Sequence, residues 1–171
     1  MTQTKAESLV YLQKIIKKFK LKNLKIPELL YFKKKEFESD KDQIFKKIKL
    51  KFKNKKIIIR SSSKNEDQQN YSNAGKYLSI SNLPINRNLV IESIFKVINK
   101  FENKNDQILI QEYIDEPEMS GVIFTREMNL DGPYYVINYD TSGQTDIITS
   151  GKFHRSIKTE YVYRDKKNYS E

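Results

Sequence analysis

The stretch that most constrains the fold runs from Lys56 to Ile80, where an apolar run leads directly into a loop of small polar residues. Three consecutive β-branched residues, Ile57 to Ile59, predict a strand that is covered on both faces. Arg60 follows at the carboxyl end of this strand. Loops at the carboxyl ends of strands in α/β sheets commonly bind ligands. The pattern therefore predicts a strand that presents a cation to a binding loop.

The loop from Ser61 to Gly75 is rich in Ser, Asn, Asp and Gln, and Lys76 to Ile80 then alternates like a second strand. Small residues let backbone N–H groups approach an anion closely, and the planar guanidinium of Arg60 suits phosphate. We interpret the segment as an anion cradle between two strands. The alternative is an ordinary strand-end arginine beside a solvated loop. No histidine lies near the serine run in the sequence, so we expect those hydroxyls to serve loop hydrogen bonding.

Composition limits the class of protein. A chain of 171 residues with 37% hydrophobic residues can form one cored domain or part of a larger one. The absence of cysteine excludes disulfides, thiolate metal sites and a cysteine nucleophile. No run approaches the roughly 20 apolar residues that span a bilayer, and the polar start MTQTKAES leads into no apolar region. We expect a cytoplasmic protein with no membrane partner.

The net charge of +10 raises the possibility of a nucleic-acid partner, because lysine neutralises phosphate. Much of the lysine lies between Lys14 and Lys56. The aromatic residues interleaved with it are Phe19, Tyr31, Phe32, Phe37 and Phe52. These aromatics also fall at core-facing spacings, so we favour a solvated lysine-rich face and do not expect a nucleic-acid partner.

Helical patterns dominate the first half of the chain. Thr4 to Phe19 predicts a helix with a capping box formed by Thr4 and Glu7. Its apolar stripe comprises Leu9, Leu12, Ile15, Ile16 and Phe19. Leu29 to Phe32 is a short strand candidate. A second helix is predicted over Ser39 to Leu50, with Ser39 as its cap; its inward residues would be Ile44, Phe45 and Ile48. A third is predicted over Asn86 to Phe101; its inward residues would be Leu89, Ile91, Ile94, Phe95 and Ile98.

Strand patterns dominate the second half. The predicted strands are Gln107 to Ile114, Gly121 to Thr125, Tyr134 to Tyr139, Asp146 to Thr149 and an edge strand at Tyr161 to Tyr163, with a turn at Asn129 to Gly132. The predicted class is α+β, with a helix-rich N-terminal half and an antiparallel, strand-rich C-terminal half.

In this order the segments resemble the nucleotide-binding domain of phosphoenolpyruvate synthase and pyruvate phosphate dikinase, an ATP-grasp fold. IIIRSSSKNEDQQNYSNAGKYLSI resembles the family's VRSSA-x-x-ED…S-x-AG segment, and ILIQEYIDEPEMSGVIFTRE resembles its VQ-x-M/Y-V…GV-x-FTR segment. YYVINYDTSGQTDIITSG is similar to the segment that closes the domain, and TKAESL to its GK-x-x-x-L opening. The likeness covers roughly Thr4 to Gly151. Within the family, TKAESL and SNAGKYLS most resemble the kinases of capsule biosynthesis that phosphorylate the amide nitrogen of glutamine.

The resemblance implies three groups of nucleotide-binding residues. They are Lys5 and Arg60 on the phosphates, the glycine-containing lid Ser72, Asn73, Ala74, Gly75 and Lys76, and the adenine hinge Gln111, Glu112, Tyr113 and Ile114. Backbone groups of Glu112 and Ile114 would face the adenine edge, and a nearby carboxylate would take the ribose hydroxyls. Gln3 and Thr4 stand where the family has two glycines before its lysine, which makes the placement of Lys5 less firm than that of Arg60.

The resemblance also implies an organisation. Residues 1–106 would form the N-terminal part of the ATP-grasp domain with its phosphate loop, and residues 107–171 the hinge and antiparallel strands, ending before the metal-binding segment. We therefore expect the ligands of Mg²⁺ to lie outside this chain. Glu160 and Asp165 cannot be assigned to a metal, and the single histidine, His154, lacks the family's small-residue motif. We expect no catalytic residue in this part of the enzyme.

In the complete enzyme, the resemblance implies that the β-phosphate of ATP passes to a histidine on a swivelling domain, then to an acceptor such as glutamine or pyruvate. The chain would be the ATP-binding part of this phosphotransferase, with the rest of the enzyme as its partner. The alternatives are a basic nucleic-acid-binding module and a degenerate, non-catalytic scaffold.

Overall fold

The computed structural model of the chain describes residues 4–63, 78–101, 103, 105–143, 148 and 156–164. These residues form four helices and seven strands. In chain order they are α1 (Lys5–Lys18), β1 (Leu29–Lys33), α2 (Lys34–Ser39), α3 (Lys41–Phe52), β2 (Ile57–Ser62), β3 (Ser79–Leu83), α4 (Arg87–Ile98), β4 (Gln107–Glu112), β5 (Ser120–Phe124), β6 (Tyr134–Asp140) and β7 (Lys158–Tyr163). The predicted mixture of helices and antiparallel strands is confirmed. None of the described helices is long and apolar enough to cross a membrane.

The chain divides into two compact units after Ile114. The first unit contains a four-stranded sheet with the order β1-β4-β2-β3, in which every neighbouring pair is antiparallel. Strand β4, which our sequence-based division placed with the C-terminal part, is an inner strand of this sheet. Because the sheet is antiparallel, the rule for carboxyl ends of parallel strands does not apply to it. Arg60 is also not at the end of its strand, since β2 continues to Ser62.

Helices α2, α3 and α4 cover one face of this sheet. The buried core between them contains Phe32, Phe37, Ile44, Ile48, Phe52, Ile57, Ile59, Val90, Ile94, Val97, Ile98, Ile108 and Ile110. Ile44, Ile48, Ile94 and Ile98 are buried as predicted. Leu89 is not, being 44% exposed.

The error at Leu89 has a packing cause. Helix α4 turns Val90 and Val97, which are 0% exposed, toward the sheet. The buried face is therefore rotated slightly from the one that the apolar spacing indicated.

Helix α1 packs on the other face of the sheet. Ala6 contacts a small cluster with Leu29 and Leu109, and Leu9, Val10 and Ile26 pack around it. The predicted stripe was wrong at Leu12 and Phe19, which are 44% and 61% exposed, whereas Ile15 and Ile16 are half-buried. The helix meets the sheet through its first turns, where the small side chain of Ala6 allows close approach.

Of the N-caps predicted for α1 and α3, the first is confirmed and the second is wrong. The capping box of α1 is confirmed: Thr4 Oγ1 accepts the N–H of Glu7 at 3.2 Å, and Glu7 Oε2 accepts the N–H of Thr4 at 3.0 Å. The second predicted cap was wrong, since Ser39 is the last residue of α2. Helix α3 begins one residue later with Asp40 as its N-cap, and Asp40 Oδ1 accepts the N–H of Gln43 at 2.8 Å.

The second unit contains an antiparallel sheet in the order β5-β6-β7, so the predicted last strand lies at a sheet edge. The predicted turn before β6 is confirmed. The Glu127 carboxylate accepts the N–H groups of Asn129 and Leu130, each at 2.8 Å, and these two bonds lower the pKa of Glu127. The predicted strand at residues 146–149 lies outside the described residues except for position 148.

The cap assignment gives the first prediction. Asp40→Ala should lower the free energy of unfolding by about 1 kcal/mol, because it removes the acceptor for an N–H group in the first turn of α3. Ser39→Ala is the matched control and should change stability by less than about 0.5 kcal/mol, since Ser39 is a helical residue and alanine is a better helix former. Urea denaturation of both variants checks the difference, and equal losses would contradict the assignment.

Candidate functional site

The N-terminus of α1 is fixed to one end of the first sheet by three side-chain hydrogen bonds. The N–H of Ala6 donates to Ser62 Oγ at 2.9 Å. Thr4 Oγ1 donates to Gln107 Oε1 at 2.8 Å, and Gln107 Nε2 donates to Glu7 Oε1 at 3.1 Å. Ser62 and Gln107 are register partners on β2 and β4, and both are buried. Because these bonds hold the first turn of α1, they also hold the backbone of Lys5 against the sheet.

Arg60 lies two residues before Ser62 on β2, so both side chains are on the sheet face that α1 covers. It is paired with Leu109 of β4 on one side and with Ser79 of β3 on the other. Its Nε is buried and, within the described part of the chain, has no hydrogen-bond partner. A buried donor without an acceptor costs roughly 1–3 kcal/mol. The structure thus holds the backbone of Lys5 over the sheet face that carries Arg60, and the Nε donor of Arg60 has no partner among the described residues.

The predicted hinge begins on the strand next to Arg60. Gln111 is opposite Ile58, two residues along β4 from Leu109, so it shares the sheet face of Arg60. Its side chain is buried, at 8% exposure. The structure therefore brings Arg60 and the first hinge residue to one face of two adjacent strands.

The backbone hydrogen bonds of the sheet continue into the predicted hinge and end before its last residue. The N–H of Glu112 donates to the carbonyl of Glu28 at 2.9 Å, and the N–H of Tyr113 donates to the carbonyl of Lys56 at 2.9 Å. Ile114 lies beyond these last bonds, and its side chain is 49% exposed. The ladder thus ends within the predicted hinge.

The side chain of Glu112 has a structural partner that sequence reasoning missed. Lys55 Nζ lies 3.0 Å from Glu112 Oε2 and 3.2 Å from Glu28 Oε2. Hydrogen bonds to Glu112 first, and then to Glu28, raise the pKa of Lys55. Glu112 and Lys55 are 57 residues apart, and no local pattern signals such a pair. The carboxylate of Glu112 therefore ties the hinge to the connection between α3 and β2.

A polar cleft of about 460 Å³ adjoins the anchored end of α1. Its lining residues are Thr4, Glu7, Lys33, Ser62, Ser63, Asn103, Asn105, Asp106 and Gln107. Ser63 Oγ donates to Asp106 Oδ1 at 2.9 Å. Ser62 differs from the expected loop role, because it belongs to β2 and its hydroxyl accepts the N–H of Ala6. The sequence did not single out Thr4, Asp106 or Gln107 as neighbours of this site, because their proximity depends on long-range strand pairing.

Several predicted residues cannot be placed. The lid residues Ser72 to Lys76 lie outside the described residues, as do His154 and Asp165. Glu160 is described: its carboxylate accepts the hydroxyl of Tyr139 at 2.7 Å on the second sheet, which raises the pKa of Tyr139. Among the described residues, no group of three or more His, Cys, Asp or Glu could hold a metal ion.

The aromatic residues interleaved with lysine divide into two groups. Phe32, Phe37 and Phe52 are buried in the core, whereas Phe19 and Tyr31 are 61% and 38% exposed. Three of the five rings are thus unavailable for stacking on nucleic-acid bases, which weakens the case for a nucleic-acid interface across this region.

No protein-family model and no curated protein sequence matches the chain. The assignment of a function therefore depends on the sequence motifs and on the geometry described above.

The anchor of α1 gives the second prediction. Thr4→Val keeps the shape of the side chain but removes the cap of α1 and the buried bond to Gln107. We expect it to lower the free energy of unfolding by about 2 kcal/mol. Thr159→Val is the matched control, because Thr159 Oγ1 donates to Asn138 Oδ1 at 2.7 Å on an exposed strand. Urea denaturation should show a clearly smaller loss for Thr159→Val, and similar losses would contradict the role given to Thr4.

Proposed function

We propose that the chain is the nucleotide-binding part of an ATP-dependent phosphotransferase of the phosphoenolpyruvate synthase type. The observation that carries the proposal is the buried Nε of Arg60, which has no acceptor among the described residues. Arg60 stands on the strand whose sequence resembles the family's phosphate-binding motif.

The phosphates would bind on the face of the first sheet that carries Arg60. Phosphate oxygens form charge-assisted hydrogen bonds with a guanidinium, so they would satisfy its unused donor. Lys5 is the first residue of α1, where a cation opposes the helix dipole. An anion near this helix end would offset that cost. The bond from Ala6 to Ser62 supports the arrangement, because it fixes the helix end two residues along β2 from Arg60.

The adenine would bind where β4 ends. The N–H of Glu112 is already committed to Glu28, so the acceptor for the adenine amino group would be the carbonyl of Glu112. The donor to the ring would be the N–H of Ile114, which lies beyond the last bonds of the ladder. Gln111 would contribute a buried side chain on the face that it shares with Arg60. The lid at Ser72 to Lys76 would close over the phosphates.

Phosphoryl transfer depends mainly on positioning and charge neutralisation. These residues would position ATP, and Mg²⁺, when bound, would neutralise the phosphate charge. We expect its ligands to lie outside this chain. In the whole enzyme the β-phosphate would pass to a histidine of a swivelling domain, with release of AMP and phosphate. The acceptor would be glutamine, as in the capsule-biosynthesis kinases, or pyruvate. We expect this chain alone to bind ATP weakly and not to turn it over.

The third prediction concerns ATP binding. Arg60→Met keeps most of the side-chain volume but removes the charged donors. It should weaken ATP binding by about 10- to 100-fold, which corresponds to the loss of a charged hydrogen bond. Isothermal titration with and without Mg²⁺ measures the change. Arg87→Met is the matched control and should leave affinity unchanged, because Arg87 is an exposed residue of α4 that pairs with Asp42 at 2.6 Å.

The fourth prediction separates a binding role from a structural role. Without ATP, Arg60→Met should not lower the free energy of unfolding, because it removes a buried donor that lacks an acceptor. A substantial loss of stability in urea denaturation would show that Arg60 serves the fold instead.

Three titration outcomes would count against the proposal. Equal ATP affinity in wild type and Arg60→Met would remove the phosphate role of Arg60. No ATP binding, even in a longer chain that continues past Glu171, would favour a non-catalytic scaffold. Strong, salt-sensitive binding of an oligonucleotide that ignores Arg60→Met would favour a nucleic-acid-binding module.

A further inference from the structure

One surface of the first unit combines exposed apolar side chains with positive charge. Five large apolar residues of α1 and the connector after it are exposed: Tyr11 by 55%, Leu12 by 44%, Phe19 by 61%, Leu21 by 40% and Leu24 by 58%. These five residues are called the α1 patch below. Helix α1 meets the sheet through its other side, around Ala6 and Val10, so the patch is not part of the described core.

The patch continues past the end of the helix because the chain turns back there. The N–H of Leu21 donates to the carbonyl of Ile16 at 3.0 Å, and the N–H of Lys20 donates to the carbonyl of Lys17 at 3.4 Å. Lys20 has a φ of 52°, so these bonds form a Schellman motif with a left-handed lysine. The motif holds Leu21 beside the last turn of α1. The N–H of Leu24 then donates to the carbonyl of Leu21 at 3.5 Å.

The charge around the patch has one sign. Between Ser8 and Pro27 the sequence contains six lysines and no aspartate or glutamate. The six are Lys14, Lys17, Lys18, Lys20, Lys22 and Lys25, and all are exposed. Within the described residues none of them joins an ion pair. Such a surface is complementary to an anionic partner.

The residue types favour one kind of anion. Nucleic acids are bound mainly through phosphate contacts and aromatic stacking, which explain the lysines and rings of the patch better than its three leucines. The segment also has no arginine, the residue whose planar fork suits discrete carboxylates and phosphates. Lysines beside leucine, phenylalanine and tyrosine are typical of helices that lie in the headgroup region of a bilayer.

We propose that the α1 patch and the exposed lysines next to it, Lys18 and Lys22 among them, form a peripheral docking surface for an anionic lipid bilayer. The apolar side chains enter the headgroup region, and the lysines neutralise the lipid charges. The sequence led us to expect no membrane partner because it contains no spanning run. Peripheral docking needs no such run, so the proposal revises that expectation.

Vesicle sedimentation tests the proposal with the full chain. Vesicles of phosphatidylcholine mixed with phosphatidylserine should carry the protein down, and vesicles of phosphatidylcholine alone should not. The double variant Lys18→Gln, Lys22→Gln should weaken binding by about 25-fold, or about fivefold for each lysine. The double variant Leu12→Gln, Phe19→Gln should weaken it at least about tenfold, because both side chains lose their burial in the bilayer.

Helix α3 offers matched controls. Lys49 and Lys51 are exposed, and Leu50 between them is 76% exposed. The variants Lys49→Gln, Lys51→Gln and Leu50→Gln make the same kinds of change outside the patch and should leave sedimentation unchanged. All of the altered residues are exposed, so circular dichroism should show native helix content in every variant.

Three results would overturn the proposal. The first is failure of the wild type to sediment with the phosphatidylserine vesicles. The second is an equal loss in the α3 controls, which would show attraction by net charge alone. The third is binding of an oligonucleotide that depends on the α1 patch while vesicles are ignored, which would identify the surface as a nucleic-acid interface.

Discussion

The first unit depends on the pairing of β4 along both of its edges. Five of its residues pair with β1, and all six pair with β2. Successive side chains of this strand point to opposite faces of the sheet, so the strand contributes to the packing on both faces. Ile108 and Ile110 join the helical core on one face, and Leu109 meets α1 on the other. Gln107, the first residue of the strand, anchors the start of α1, and Gln111, the residue before its last, begins the predicted hinge.

This arrangement links the fold to the candidate site. A residue on an inner strand has its backbone fixed by two neighbours, so its Cβ holds one position relative to both of them. Ser62 and Gln107 use that rigidity to hold α1. Arg60 and Gln111 lie on the same face of the same two strands, so their backbones are held equally well. A site built on such strands is more precise than one built on loops.

Local patterns predicted the elements that local interactions define. The capping box of α1, the strand at Ile57 to Ile59 and the strand that begins at Gln107 were all found from short-range spacing, and the structure confirms them. The failures arise where tertiary packing decides between neighbours. Ser39 and Asp40 are both good caps by residue type, but Ser39 ends α2, the helix that places Phe37 in the core. Phe37 is fully buried and packs 6.1 Å from the ring of Phe32 and 5.4 Å from that of Phe95.

The polar contacts around the site were beyond prediction for a related reason. The bonds from Ala6 to Ser62, from Thr4 to Gln107 and from Lys55 to Glu112 join residues that are 56, 103 and 57 positions apart. A motif can identify which residues matter, but it does not show which of their groups are already bonded. The N–H of Glu112 illustrates the limit, since its bond to Glu28 became visible only with the sheet in place.

The contrast between bonded and unbonded polar groups supports the proposed phosphate role of Arg60. Thr4, Ser62 and Gln107 are each at least 95% buried, and each has a hydrogen-bond partner. Nearly all buried polar groups in proteins are satisfied in this way, so an exception needs a cause. A guanidinium stays protonated in proteins, so it keeps all of its N–H donors. An unpaired donor therefore cannot be removed by losing a proton. Arg60 Nε has no acceptor among the described residues, and a phosphate oxygen is one acceptor that the proposed function would supply.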